Sequence, residues 1–148
     1  MIQQRNISSP TIVKEPVEQL DLRLADDMQE FQFFGRHLLA SYNECADERL
    51  LDHEALLGAL KEAIALSGAT ILKSSEHTFE GGGLTAVFLL SESHASIHTY
   101  PEHHACFVDM FTCGTTCRVE EFDRHMRQYL QSKQVSARVL TRHQEIED

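Results

Sequence analysis

With 148 residues, 42% of them hydrophobic and 24% charged, the chain has the size and composition of one ordinary globular domain, which argues against disorder. A formal charge of −10 without any cluster of Lys or Arg argues against a nucleic-acid partner; it suits a cationic small molecule or simply serves solubility. The longest apolar run, Leu84–Leu90, is too short to span a membrane, and no basic region followed by an apolar core opens the chain. The expected compartment is therefore the cytoplasm, with Cys45, Cys106, Cys113 and Cys117 as free thiols.

Residues 1–30 read as a leader, broken at Ser9-Pro10 and Glu15-Pro16, with a short surface helix over Val17–Met28. The domain is expected over residues 31–148. Phe31, Phe33 and Phe34 lead through Gly35-Arg36-His37 into Leu38–Tyr42, a strand. Asn43–Glu48 is polar and turn-like. Asp52 caps a helix in which Leu56, Leu57, Leu60, Ala63 and Ile64 recur at helical spacing, and Gly68 closes it. Ala69–Ser74 is a strand that His77–Phe79 continues.

Gly81-Gly82-Gly83 follows a strand and precedes another, so it reads as a hairpin and not as a phosphate-binding loop. Leu84–Leu90 reads as a buried strand, Ser96–Tyr100 as the next and Ala105–Thr112 as a further one. Arg118–Leu130 is amphipathic, with Val119, Phe122, Met126 and Tyr129 or Leu130 on one face. Val135–Leu140 is the last strand, and the polar stretch His143–Asp148 ends the chain. About six strands joined by short turns, served by two helices, predict an α/β (α+β) two-layer sandwich. Its sheet is mainly antiparallel, with both helices on one face.

The chemistry concentrates in Ser91-Glu92-Ser93-His94-Ala95-Ser96-Ile97-His98 and in Cys113. A serine hydrolase would place its nucleophile in G-x-S-x-G, and both glycines are missing around Ser93. A metal enzyme could recruit His94, His98, His103, His104 and the cysteines, but their spacing matches no standard zinc pattern. Self-processing is the third option. Ser93 attacks the Glu92 carbonyl, the resulting ester breaks by β-elimination, and Ser93 becomes an N-terminal pyruvoyl group. A structural role as turn formers and surface groups also stays open on these residues alone.

These stretches resemble the S-adenosylmethionine decarboxylase proenzyme family in its short bacterial and archaeal, pyruvoyl-dependent form. The resemblance rests on Gly35-Arg36-His37-Leu38-Leu39, Ser67–Ile71, Ser91-Glu92-Ser93-His94, Ser96–Glu102 and Val108–Gly114. It spans about residues 33 to 142. It implies cleavage into chains 1–92 and 93–148, with Ser93 becoming the pyruvoyl group that forms a Schiff base with the substrate amine. By the same resemblance His98 is the processing histidine, Thr85 a possible processing hydroxyl and Cys113 the proton donor. Phe79 is implied to stack on adenine, Glu102 to bind ribose hydroxyls and Tyr100 to line the substrate end. No metal is implied. The implied partner is a second copy of the chain, giving a homodimer of processed protomers. The implied product, decarboxylated S-adenosylmethionine, would serve polyamine (spermidine) synthesis.

The chain departs from the family at the substrate end. Glu76 stands where an aromatic is usual, Tyr100-Pro101-Glu102 replaces Trp-Pro-Glu, and His103-His104-Ala105 replaces Tyr-Gly-Tyr. Gly83-Leu84-Thr85-Ala86 replaces Gly-Val-Ser-Gly. An acid at position 76 suits a guanidinium or ammonium, so arginine or ornithine is the alternative substrate. An unprocessed regulatory paralogue is the non-enzyme alternative.

Overall fold

Alternation of buried and exposed residues along the inner strands is the pattern from which the architecture follows. The computed structural model describes residues 34–113 and 116–143. The leader with its Val17–Met28 helix, the residues Phe31 and Phe33, Gly114 and the tail beyond His143 lie outside the described residues. The elements run β1 (Phe34–Asn43), α1 (Asp47–Leu51), α2 (His53–Ser67), β2 (Ile71–Thr78), β3 (Leu84–Leu90), β4 (Ser93–Tyr100), a 3-10 turn (Pro101–His103), β5 (Ala105–Cys113), α3 (Val119–Leu130) and β6 (Gln134–His143).

The strands form one sheet in the order β2-β3-β4-β5-β1-β6. Every neighbouring pair is antiparallel. Successive side chains of a strand point to opposite faces. One face carries Leu38, Ala40, Tyr42, Leu84, Ala86, Phe88, Leu90, Ala95, Ile97, Cys106, Val108 and Met110, all buried. The helices cover this face with Leu56, Leu60, Ala63 and Ile64 of α2 and Val119, Phe122, Met126 and Leu130 of α3. Together they make one core. The sandwich is the expected one, with its helices on a single side. Among the described residues no helix is long and apolar enough to cross a membrane.

Local chemistry sets the helix ends. The Asp52 carboxylate accepts the Ala55 N–H at 3.0 Å, and Gly68 ends α2 at φ 93°, which a side chain would resist. The hairpin over the glycines also forms: Phe79 N–H donates to the Gly83 carbonyl and Gly82 N–H to that of Phe79.

Four expectations need correction. Asn43–Glu48 is not all turn, because α1 begins at Asp47, where Leu50 can reach the core; among the described residues the α-helices therefore number three. Leu84–Leu90 is only half buried: Val87 and Leu89 face away from the helices and are 45% and 50% exposed. Strand β4 begins at Ser93 and not Ser96, because a two-residue turn joins Leu90 directly to Ser93. The last strand is longer than its alternating segment, since ten residues of β6 pair with β1 and include His143.

Tyr42 ties the two layers together. It is fully buried, and its hydroxyl donates to Asp123 Oδ1 of α3 at 2.6 Å. Asp123 also pairs with Arg127 one turn on, at 2.7 Å. Burial, then the hydrogen bond to Asp123 and its negative charge, push the Tyr42 phenol far above its usual range, so it stays a neutral donor. Tyr42→Phe should lower the free energy of unfolding by about 1–2 kcal/mol without altering the fold. Urea unfolding followed by circular dichroism measures this, and an unchanged midpoint would rule out the tie.

Candidate functional site

Among the described residues no helix packs on the other face of the sheet, and that face carries much of the polar chemistry of the strands. Antiparallel register sets the rows. Across β1, β5, β4 and β3, one row reads His37, Phe111, His94, Leu89 and the next reads Leu39, Asp109, Ser96, Val87. A third reads Ser41, Phe107, His98, Thr85. These side chains share the open face, amid exposed apolar residues such as Leu39 and Phe107.

The Glu92–Ser93 bond lies where the β3–β4 turn enters β4. Leu90 pairs with Ser93, leaving Ser91 and Glu92 as the turn. The turn is tethered from two sides. Ser91 N–H donates to the Thr70 carbonyl at 3.0 Å, and Thr70 N–H donates to Glu92 Oε2 at 3.1 Å. Burial opposes ionisation of Glu92, but hydrogen bonds from Ser91 and from Thr70 N–H hold its carboxyl below the ordinary value. From β5, Cys113 N–H donates to the Glu92 carbonyl oxygen at 2.8 Å.

Ser93 itself has φ 149°. The other described non-glycine residues with positive φ, Glu44, His104 and Gln131, lie near 50°, in the small left-handed well. Ser93 lies outside that well, where glycine is strongly preferred, at a cost of about 1–3 kcal/mol.

The predicted residues separate into two groups. Glu92, Ser93 and Cys113 meet at one end of β4, and the Cys113 thiol is exposed on the open face. Gly35 of β1 pairs with Cys113, and a Cβ there would run into the Phe111 ring, so only glycine lets that ring lie against β1. Arg142 of β6 stacks over that ring at 4.5 Å.

The second group lies along β4 towards its other end. Thr85 Oγ1 and His98 Nδ1 are hydrogen-bonded. The Phe79 and His98 ring centroids are 5.8 Å apart, and those of His98 and Tyr100 are 4.7 Å apart. Phe79, His98, Tyr100 and Glu102 line a cavity of about 350 Å³.

His98 is five residues from Ser93 along an extended strand, roughly 16 Å at about 3.3 Å per residue. One chain therefore does not bring its His98 to its own Ser93. Glu76 joins neither group. It pairs with buried Ala86, while His77 pairs with Thr85, so Glu76 points to the helix side at the sheet edge.

Two further residues belong to the open face that sequence reasoning did not single out, His37 and Asp109, and His94 had entered only as a possible ligand. Asp109 Oδ2 lies 2.7 Å from His37 Nε2 and 3.1 Å from His94 Nε2, and its Oδ1 accepts from the Ser96 hydroxyl. Partial burial works against the Asp109 carboxylate, but the Ser96 bond and those of His37 and His94 outweigh it and hold its pKa below the ordinary value. His94, Ser96 and His98 recur every second residue, a period that could have marked one strand face; the partners on β1 and β5 could not be read from it.

A lowered carboxylate pKa has a definite sign. The folded state binds this proton less readily than the unfolded chain, so the contribution is full above the ordinary value near 4 and is lost as pH falls through the lowered one. Stability measured by urea unfolding should fall more steeply on acidification from about pH 5 to 3 for the native chain than for Asp109→Asn. Parallel acid limbs would remove Asp109 from the list of stabilising carboxylates.

A family model described as S-adenosylmethionine decarboxylase matches residues 36–143. The S-adenosylmethionine decarboxylase proenzyme of Thermotoga maritima is 40% identical over 102 residues, 68% of this chain and 78% of that one. That of Symbiobacterium thermophilum is 38% identical over 112 residues, 76% of this chain and 85% of the relative. The crystal structure of the adenosylmethionine decarboxylase from Aquifex aeolicus superposes with a TM-score of 0.71 at 29% identity, covering 78% of this chain and 96% of the other.

Proposed function

We propose, for a chain that belongs to the S-adenosylmethionine decarboxylase family, that it cleaves itself between Glu92 and Ser93 and then decarboxylates S-adenosylmethionine. The product, decarboxylated S-adenosylmethionine, would feed polyamine synthesis. The observation that carries this reading is the Glu92–Ser93 junction. A serine in an unfavourable backbone conformation follows a carbonyl that already receives an N–H at 2.8 Å.

Each part of that junction has a use. Attack of Ser93 Oγ on the Glu92 carbonyl carbon puts negative charge on the carbonyl oxygen, and Cys113 N–H is already there to stabilise it. Breaking the Glu92–Ser93 peptide bond lets Ser93 leave its strained φ, so ground-state strain favours the forward step. Loss of the Ser93 Cα proton then breaks the Cβ–O bond and expels the new main-chain carboxylate of Glu92, and the imine tautomer of the dehydroalanine left behind takes up water and releases ammonia, so that the new chain starts at residue 93 with a pyruvoyl group.

The residues fit such a group, since the serine to be converted and a thiol lie at the same strand end. A pyruvoyl group supplies an electrophilic ketone for the substrate amine and a sink for the electrons of the breaking carbon–carbon bond. Cys113, exposed on the open face, offers the proton that replaces carbon dioxide. The rings of Phe79 and Tyr100 suit an adenine face and a sulfonium cation, and Glu102 suits ribose hydroxyls. Glu76 had favoured a basic amino acid, and it faces away from Thr85 and His98; S-adenosylmethionine is therefore the better-supported substrate.

The separation of the two groups supports a homodimer. If two open faces stack about a twofold axis, Thr85 and His98 of one protomer can meet Ser93 of its partner. Leu39, Val87, Leu89, Phe107 and Leu140 are 42–51% exposed on that face, and they would be covered. A depression of about 470 Å³ lies among them, lined in part by Thr85, Ser96, His98, Asp109 and Arg138.

An intact mass spectrum of the denatured protein should give two masses, for 1–92 and 93–148, the second lighter by one ammonia than a serine-started chain. Carbon dioxide release from S-adenosylmethionine should accompany it and exceed that from arginine or ornithine. Ser93→Ala should stay whole, and Cys113→Ala should cleave but turn over poorly. A single mass near 16.8 kDa for the native chain would favour the uncleaved regulatory reading instead.

Sharing of the site makes a separate prediction. His98→Ala and Ser93→Ala chains, each uncleaved alone, should yield cleaved His98→Ala chain when co-expressed. No cleavage in the mixture, with both chains shown to associate, would confine the site to one protomer.

A further inference from the structure

Beside the scissile bond stands a run of polar side chains that the steps above leave unused. His94 follows Ser93 directly, and its Nδ1 is 3.3 Å from Ser93 Oγ. Its other ring nitrogen, Nε2, is 3.1 Å from Asp109 Oδ2 on β5. The same oxygen meets His37 Nε2 from β1 at 2.7 Å, and Ser96 donates to Oδ1. Phe111 packs against both imidazoles, with centroids 5.4 Å from His37 and 6.0 Å from His94. Three adjacent strands thus converge on one hydroxyl.

An ionised carboxylate only accepts hydrogen bonds, so each group facing Asp109 must donate. His94 therefore carries its hydrogen on Nε2, and in the neutral ring the lone pair lies on Nδ1, the atom nearest Ser93 Oγ. That is the arrangement of a nucleophile, its base and a third group that orients the base. The 3.3 Å distance is long for a hydrogen bond, as such contacts often are before the reacting state tightens them.

His37, His94 and Asp109 also offer the donor types of a metal site. Two observations weigh against that use. The 2.7 Å from His37 Nε2 to Asp109 Oδ2 is a hydrogen-bond length, whereas two ligands about 2.1 Å from a tetrahedral ion stand roughly 3.4 Å apart. Three protein donors already occupy the Asp109 oxygens.

We propose that His94 is a catalytic residue of the acyl shift, acting on Ser93 of its own chain, with Asp109 and His37 as its positioning residues. His94 Nδ1 removes the Oγ proton as Oγ bonds to the Glu92 carbonyl carbon. The carbon–nitrogen bond then breaks as the imidazolium returns that proton to the Ser93 nitrogen, leaving an ester and a free amine. Nothing is oxidised or reduced, and no co-reactant is needed. The inference rests on the self-processing reading and leaves the partner's imidazole the later removal of the Ser93 Cα proton.

Hydroxylamine cleaves esters and leaves peptide bonds, so it reports which step has stalled. Purified full-length His94→Ala should process about 100-fold slower or worse than the native chain and stay resistant to hydroxylamine. Imidazole added to the buffer should restore its cleavage. Asp109→Asn, which leaves hydroxyl and imidazole in place, should slow the same step without accumulating ester, whereas His98→Ala should accumulate it.

Should His94→Ala lose its native circular dichroism, His94→Gln carries the same test. Processing of the His94 variant within threefold of native, or accumulation of ester in it, would overturn the proposal. So would abolition of native processing by a chelator with recovery on adding zinc. A native chain that never cleaves would fell both readings, while a cleaved native chain with an unaffected His94 variant would fell this one alone.

Discussion

Period-two alternation in a sheet covered on one side decides where everything else can go. Along the four inner strands most of the residues facing α2 and α3 are apolar and buried, and they supply the cohesion of the domain. The intervening residues have no helix to satisfy, so they are free to be histidine, serine, aspartate and threonine. The same freedom leaves Leu39, Val87, Leu89, Phe107 and Leu140 bare to solvent. An antiparallel sheet tolerates a wet face, but among the described residues this one is left unusually apolar, which suits the proposed dimer. In the proposed dimer, chemistry and association would draw on the same surface.

Within that frame, the β3–β4 turn concentrates three physical effects on one peptide bond. Thr70 holds the turn through Ser91 N–H and the Glu92 side chain, and Cys113 N–H polarises the carbonyl. The backbone of Ser93 stores strain that its neighbours over-determine. None of the three would suffice alone. A polarised carbonyl is common in any sheet, and a strained serine is harmless without an electrophile beside it. Their coincidence at the entry to β4 gives the Glu92–Ser93 bond a character that its sequence neighbours lack.

Much of this was legible in the sequence because local patterns encode it. The spacing of Leu56, Leu60, Ala63 and Ile64 with Asp52 and Gly68 marks α2 at both ends, and three glycines between apolar runs mark a hairpin. Helix α1 was missed because one buried residue, Leu50, carries no periodicity. Leu84–Leu90 looked wholly buried because composition cannot tell a core leucine from one on a bare face. Ser93 and Cys113 were recognisable through their motifs. The meeting of His37, His94 and Asp109 was not, because β1 lies 72 residues from β5 at that contact and only register joins them. The distance from Ser93 to His98 had the opposite fault: it looked short in sequence, and extended backbone makes it long.

Strand order has a consequence for a chain cut after Glu92. The first piece would hold β1, β2 and β3, and the second β4, β5 and β6. Read across the sheet, the pieces alternate: two strands of the first, two of the second, then β1 of the first and β6 of the second. Strand β1 is threaded between β5 and β6, with full ladders on both sides. The two products would be woven together, not merely docked, and neither could leave without unzipping the other. Breaking one covalent bond would therefore free the new amino terminus for chemistry while the fabric of the sheet kept its hold.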